Sequence, residues 1–158
     1  PYIVHPIAVA EVIKTIEGAD FNMVLAALLH DVLEDTITTA PELVFKLDKY
    51  HGGPLSWINA WDVFRLVVEL TDVFTHQNYP QHNREVRKGL EATRLSSVSS
   101  RAQTIKYADL QDNTISIVKH DPKFAVKYLE EKQHLLNVLQ DGNKTLRNSC
   151  INQIKAVY

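Results

Sequence analysis

Apolar positions recur along this chain at three- and four-residue intervals, the period of helices packed by one face, and nothing reads as a convincing sheet. Pro6 suits the first turn of an opening helix, and Ile7, Ala10, Val12, Ile13 and Ile16 continue it until Gly18. Asp20 is a good N-cap for a central helix whose buried face is expected to be Phe21, Val24, Leu25, Leu28, Leu29 and Val32. Residues 36–39 read as a turn. Thr39-Ala40-Pro41-Glu42 then has the form of a capping box with an early proline, and Leu43, Val44 and Leu47 give the next helix its apolar side before Gly52-Gly53. A further helix is expected from about Leu55 to Leu70, with Trp57 and Trp61 both in the core.

Between Thr71 and Gln81 the period fails, and the composition is that of a loop long enough to be a candidate lid. A charged helix follows from Asn83 to about Leu95. Ser96 to Ser100 supply a break and a cap, and Ala102, Ile105, Ala108, Ile115 and Val118 mark a long helix. Asp121-Pro122 opens another, Asp141-Gly142-Asn143 closes it, and Leu146, Ile151, Ile154 and Val157 suggest a last one. The fold class is all-α, and the 158 residues fit one domain spanning 1–158. The chain opens abruptly at Pro1-Tyr2-Ile3-Val4-His5 with no leader pattern, so a short N-terminal segment is expected to be missing.

Composition narrows the function. A net charge of −2 argues against a general nucleic-acid binder, which needs surplus Lys and Arg to displace counterions. Cys150 stands alone, so no intramolecular disulfide can form and a reducing, cytoplasmic setting is expected. It reads as a small buried residue rather than a nucleophile. No stretch reaches the roughly 20 apolar residues of a membrane span. A homo-oligomer is compatible with the sequence, which does not set its state.

Chemistry concentrates in Val24 to Thr36, V-L-A-A-L-L-H-D-V-L-E-D-T, where an apolar run meets His30, Asp31, Glu34 and Asp35. An imidazole beside a carboxylate, with two more carboxylates one turn on, is costly in a partly dry place unless a cation compensates the charge. On an unbroken helix His30 lies over Glu34 and Asp31 over Asp35, while His30 and Asp31 diverge by about 100°. One ion could reach both only from the notch near a helix end. Two adjacent ligands are too few for a divalent ion, and His5 and Asp109 are the places that could offer more. Taken alone, His30-Asp31 would equally suit a structural pair. The basic residues Arg84, Arg87, Lys88, Arg94, Arg101 and Lys106 could face a polyphosphate or form a solvated surface. Lys106, three residues before Asp109, is the one most expected near the site.

Tyr2-Ile3-Val4-His5-Pro6, then Leu28-Leu29-His30-Asp31-Val32-Leu33-Glu34-Asp35-Thr36, then Ile105-Lys106-Tyr107-Ala108-Asp109 with Asn113, resemble the H…HD…D pattern of HD-domain metallo-phosphohydrolases. The Glu-Asp-Thr and the Y-I-x-H-P opening are similar to the hydrolase branch of RelA/SpoT proteins, including the small stand-alone alarmone hydrolases. The resemblance implies an HD-domain helical bundle in which His5, His30, Asp31 and Asp109 bind one divalent ion, most often Mn²⁺. It implies that Glu34 and Asp35 position or deprotonate the attacking water and that Asn113 helps hold a small nucleotide; Lys106 is placed on the substrate side by its spacing to Asp109 alone. The implied reaction is hydrolysis of the 3′-diphosphate of ppGpp or pppGpp to GDP or GTP and pyrophosphate. Two alternatives stand beside it. One keeps fold and ion but changes the nucleotide to a dNTP, a nucleoside monophosphate or NADPH. The other is a non-catalytic nucleotide-binding regulatory module, motivated by Leu110 where the family commonly has Arg.

Overall fold

A computed structural model describes residues 2–49 and 59–157. Among the described residues the regular structure is entirely helical, as the apolar period predicts. The chain divides into two compact units, Pro1–Thr71 and Asp72–Tyr158.

The first unit contains α1 (Val4–Lys14), α2 (Phe21–Leu29), α3 (Val32–Asp35), α4 (Ala40–Asp48) and α5 (Ala60–Leu70). Val9, Ala10 and Ile13 form the buried side of α1. Gly18, at φ 79°, takes the left-handed turn that a side chain would disfavour, and the chain reverses into α2. Asp20 caps α2 by accepting the Met23 amide at 2.9 Å. The capping box of Thr39 and Glu42 is formed at α4, as the sequence predicts.

The buried face of α2 differs from the expected one. Met23, Ala26 and Ala27 are buried, whereas Phe21 is 44% exposed and Val24, Leu25, Leu28, Leu29 and Val32 are half-buried. Apart from Asn22 this helix is apolar all round, so periodicity names no single face. It packs against both α1 and α5, and its two alanines provide the close approach.

Trp61 also departs from expectation. It is 66% exposed and edge-on to Phe64, because the buried stripe of α5 runs through Ala60, Val63, Leu66, Val67 and Leu70. Asn59 caps α5 at the Asp62 amide, and the expected start near Leu55 lies outside the described residues. Trp57, Gly52 and Gly53 lie outside the described residues.

The second unit contains α6 (Arg84–Leu95), α7 (Ser100–His120), α8 (Pro122–Val138) and α9 (Lys144–Val157). Side chains of Asn83, Ser99, Asp121 and Asn143 each accept an amide three residues on, at 2.9, 3.2, 3.1 and 2.9 Å. The stretch before α6 is irregular, as expected, but its entry is fastened. Glu91, only 4% exposed, accepts the amides of Val73 and Phe74 at 3.0 and 2.9 Å.

The centre of this unit is α7, which packs against α8 and α9 and is buried on nearly every side through its first half. Its polar core residues are bonded rather than avoided. Gln103 Oε1 accepts the Asp141 amide at 2.9 Å, Thr104 Oγ1 accepts the Asn143 amide at 2.8 Å, and the Tyr107 hydroxyl donates to the Leu139 carbonyl at 2.6 Å. Between those bonded amides lies Gly142. A Cβ there would meet Tyr107 Cε2 at 2.5 Å and the Thr104 amide nitrogen at 2.9 Å.

Gly142→Ala is therefore expected to destabilise the second unit by about 1–3 kcal/mol, as overpacking a closed contact does. Urea unfolding followed by Tyr107 solvent exposure would read the loss.

Candidate metal centre

The central helix expected to run on through His30 is interrupted there: α2 ends at Leu29, and Asp31, at φ −97° and ψ 0°, precedes the single turn of α3. Neither glycine nor proline occurs in the interval, so the break has another cause. His30 Nδ1 lies 2.7 Å from the Ala27 carbonyl, the acceptor that an unbroken helix would offer to the amide of Asp31. The side chain competes for that acceptor. Glu34 and Asp35 restart the helix by donating their amides to the Asp31 carbonyl at 3.1 and 2.9 Å.

The break changes where the side chains meet. The break falls between His30 and Glu34, whereas Asp31 and Asp35 remain one helical turn apart, the Asp31 carbonyl accepting the Asp35 amide. The neighbours His30 and Asp31 converge, with His30 Nε2 at 3.1 Å from Asp31 Oδ2. His5 Nε2, from the first turn of α1, lies 3.7 Å from the same oxygen. The two rings meet edge-on with centroids 5.2 Å apart.

This donor set fits a divalent ion. A carbonyl only accepts, so the proton of a neutral His30 is on Nδ1, and its Nε2 presents a lone pair toward the Asp31 carboxylate. Fixing a ligand imidazole through its other nitrogen and a backbone carbonyl is the usual outer support of a metal-binding histidine. His5 and His30 each offer a ring nitrogen within 4.8 Å of the other's, near the span of two ligands that each stand about 2.0–2.2 Å from one ion. Two imidazoles and a carboxylate suit several transition ions and select none.

The paired carboxylates flank this cluster. Burial and then the charge of Asp31 raise the pKa of Asp35, while His30 and His5 pull it down. Tyr2 carries no expected role beyond its place in the Y-I-x-H-P motif. Its phenol pKa is raised by burial first and then by Asp35, Asp31 and Glu34, which keeps it a hydrogen-bond donor beside those carboxylates. The signal was present in the Y-I-x-H-P opening, but only the fold brings the first turn of α1 to the end of α2.

The remaining candidates share α7 in the second unit. Asp109, 4% exposed, is held from both sides: Lys106 Nζ donates to its Oδ2 at 2.8 Å and Asn113 Nδ2 to its Oδ1 at 2.7 Å. Three residues back and four forward are one face of a helix, so all three side chains meet. The other basic residues are largely engaged. Arg84 grips Glu131 through two bonds at 2.7 and 2.8 Å, Lys88 is 3.7 Å from Asp72, Arg94 pairs with Glu91, and Arg87 donates to the His82 carbonyl.

Known proteins resemble this chain in fold and in sequence. A solved structure described as a metazoan ortholog of SpoT that hydrolyzes ppGpp superimposes with a TM-score of 0.74 at 25% identity, covering 99% of this chain and 82% of that one. The fold is thus that of the HD-domain phosphohydrolases of the SpoT/RelA type. The guanosine-3′,5′-bis(diphosphate) 3′-pyrophosphohydrolase MESH1 of Homo sapiens is 31% identical over 155 residues, 94% of this chain and 76% of that protein. A guanosine-3′,5′-bis(diphosphate) 3′-pyrophosphohydrolase of Haemophilus influenzae is 54% identical over 43 residues, 27% of this chain and 6% of that protein. No profile of a described protein family matches. The chain belongs to the MESH1 family of SpoT-like pyrophosphohydrolases.

A divalent ion bound by the His5, His30 and Asp31 cluster is expected to raise the melting temperature of the first unit. At one hundred times its Kd the gain is about 2.7 kcal/mol, and a chelator reverses it. His30→Ala is expected to abolish the gain, read by calorimetry with and without metal.

Proposed function

We infer that this chain hydrolyses guanosine-3′,5′-bis(diphosphate) to GDP and pyrophosphate, and the pentaphosphate to GTP and pyrophosphate. The observation that carries the reading is the 31% identity to a pyrophosphohydrolase of that specificity across 94% of the chain. The donor chemistry of His5, His30 and Asp31 supports it independently.

In this reading His5, His30, Asp31 and Asp109 hold one ion, and we assign it as manganese. When bound, such an ion supplies Lewis acidity and offsets charge on the phosphoryl oxygens. The chain's own groups do the proton work. Asp35, whose pKa burial raises, is assigned as the base, and Glu34 orients the water. The water oxygen ends on pyrophosphate, its lost proton passes to Asp35, and the ribose 3′ oxygen recovers a proton as it leaves. Asn113 and Lys106, through the groups that now hold Asp109, are assigned to the substrate side.

The substrate is a free small nucleotide rather than a nucleic acid. The net charge of −2, together with the internal pairing of Arg84, Lys88, Arg94 and Lys106, supports that assignment. We place the activity in the cytoplasm, on the strength of the free, buried Cys150. No helix among the described residues is long and apolar enough to cross a membrane.

Purified protein with Mn²⁺ is expected to release pyrophosphate from ppGpp, in preference to phosphate from a dNTP, a nucleoside monophosphate or NADPH. Asp35→Asn is expected to lower kcat by about 10²–10⁴. Binding of ppGpp without turnover would favour the regulatory module, and phosphate release from another nucleotide would reassign the substrate.

A further inference from the structure

The most unusual core residue of the second unit is Lys132 on α8. It is 1% exposed, and among the described residues no carboxylate pairs with it. Its ammonium donates instead to Thr114 Oγ1 on α7 at 2.6 Å and to Gln153 Oε1 on α9 at 2.7 Å. Burial pushes its pKa down to about 8, with the Cys150 thiol opposing the shift. A cation in such a place is harder to keep than an apolar chain of the same length.

Both acceptors lead to one turn of α7. The Thr114 hydroxyl donates to the Leu110 carbonyl at 2.7 Å, and Tyr128, one turn before Lys132 on α8, donates to the same carbonyl at 3.4 Å. Gln153 Nε2 donates to the Gln111 carbonyl at 3.0 Å, and Gln111 Nε2 to Ser149 Oγ at 2.8 Å. The turn fastened in this way follows Asp109 directly and contains Asn113, whose amide holds the Asp109 carboxylate. Apolar packing sets the distance between helices but tolerates rotation. Directional bonds to a hydroxyl and two carbonyls fix the rotation as well.

We propose that Lys132 is a positioning residue of the hydrolytic site: through Thr114 and Gln153 its buried ammonium sets the rotation of the α7 turn that presents Asp109 and Asn113. The proposal rests on the role given to Asp109 above, so its test includes a signal that does not need turnover. Lys132→Met keeps the length of the chain and removes the charge, and Thr114→Val removes the acceptor on α7. Both are expected to shift the Asn113 side-chain amide resonance and to lower kcat for pyrophosphate release about ten- to hundredfold, with KM changed less than about twofold. Lys132→Met is also expected to melt no lower than the wild type, and Thr114→Ser to restore both the resonance and kcat. An Asn113 resonance unmoved in Lys132→Met and Thr114→Val overturns the proposal whether or not the wild type hydrolyses ppGpp. Loss of kcat in Lys132→Met accompanied by a matching fall in melting temperature, without rescue by Thr114→Ser, overturns it too. A wild type that shows no turnover while the resonance still shifts would instead sink the substrate assignment alone.

Discussion

The first unit depends on one hydrogen bond, from His30 Nδ1 to the carbonyl of Ala27. It does three things at once. It fixes the tautomer of an imidazole that is 3% exposed, it takes an acceptor that would have prolonged α2, and it aims Nε2 at the carboxylate of the next residue. Adjacent residues on a continuous helix point about 100° apart and cannot share a small ion at close range. Ending the helix at Leu29 and turning through Asp31 removes that obstacle. The apolar body of α2 then serves as a rigid mount, and the alanines at 26 and 27 let α1 and α5 close on it. His5, one turn into α1, arrives at the same oxygen because those helices pack closely.

What the sequence revealed divides along a physical line. Caps were legible at Asp20, Thr39 and Asp121 and, within Ser96 to Ser100, at the residue that proves to be Ser99, since a cap is a bond between residues three apart and needs no other part of the fold. The burial of Phe21 and Trp61 was misread because each stands on a helix with more apolar surface than it buries, and the choice among faces belongs to the neighbours. The interruption at His30 was invisible for a related reason: no local breaker marks it, and the competing donor is a side chain. The candidate ligands were named from their order in the chain, yet how the side chains of His30 and Asp31 converge was not legible there.

The two units reach a tight core by different means. In the first, the buried residues of α2 are Met23, Ala26 and Ala27, and its one polar side chain, Asn22, bonds Asp62 and the Asn59 amide at the edge of the core. In the second, α7 is sunk among α8 and α9 while carrying Gln103, Thr104, Asp109 and Thr114, each provided with a bond. A satisfied polar network costs more to assemble than an apolar seam, but it specifies one orientation. This contrast suits a helix whose task is to hold a carboxylate still.

The clamp on Asp109 also limits how that carboxylate can serve. Its Oδ1 faces a neutral amide from Asn113, and its Oδ2 an ammonium from Lys106. A divalent ion drawn to this group is repelled by the ammonium and not by the amide, so the Lys106 contact is the one that weakens as positive charge approaches. Lys106 is half-buried and carries its charge on a flexible four-carbon stem. Displaced from Oδ2, its charge would be available to an incoming phosphate. In the proposed reading one side chain thus compensates Asp109 before the substrate complex forms and the polyphosphate afterwards, so the contact with Asp109 does not by itself oppose a substrate-binding role.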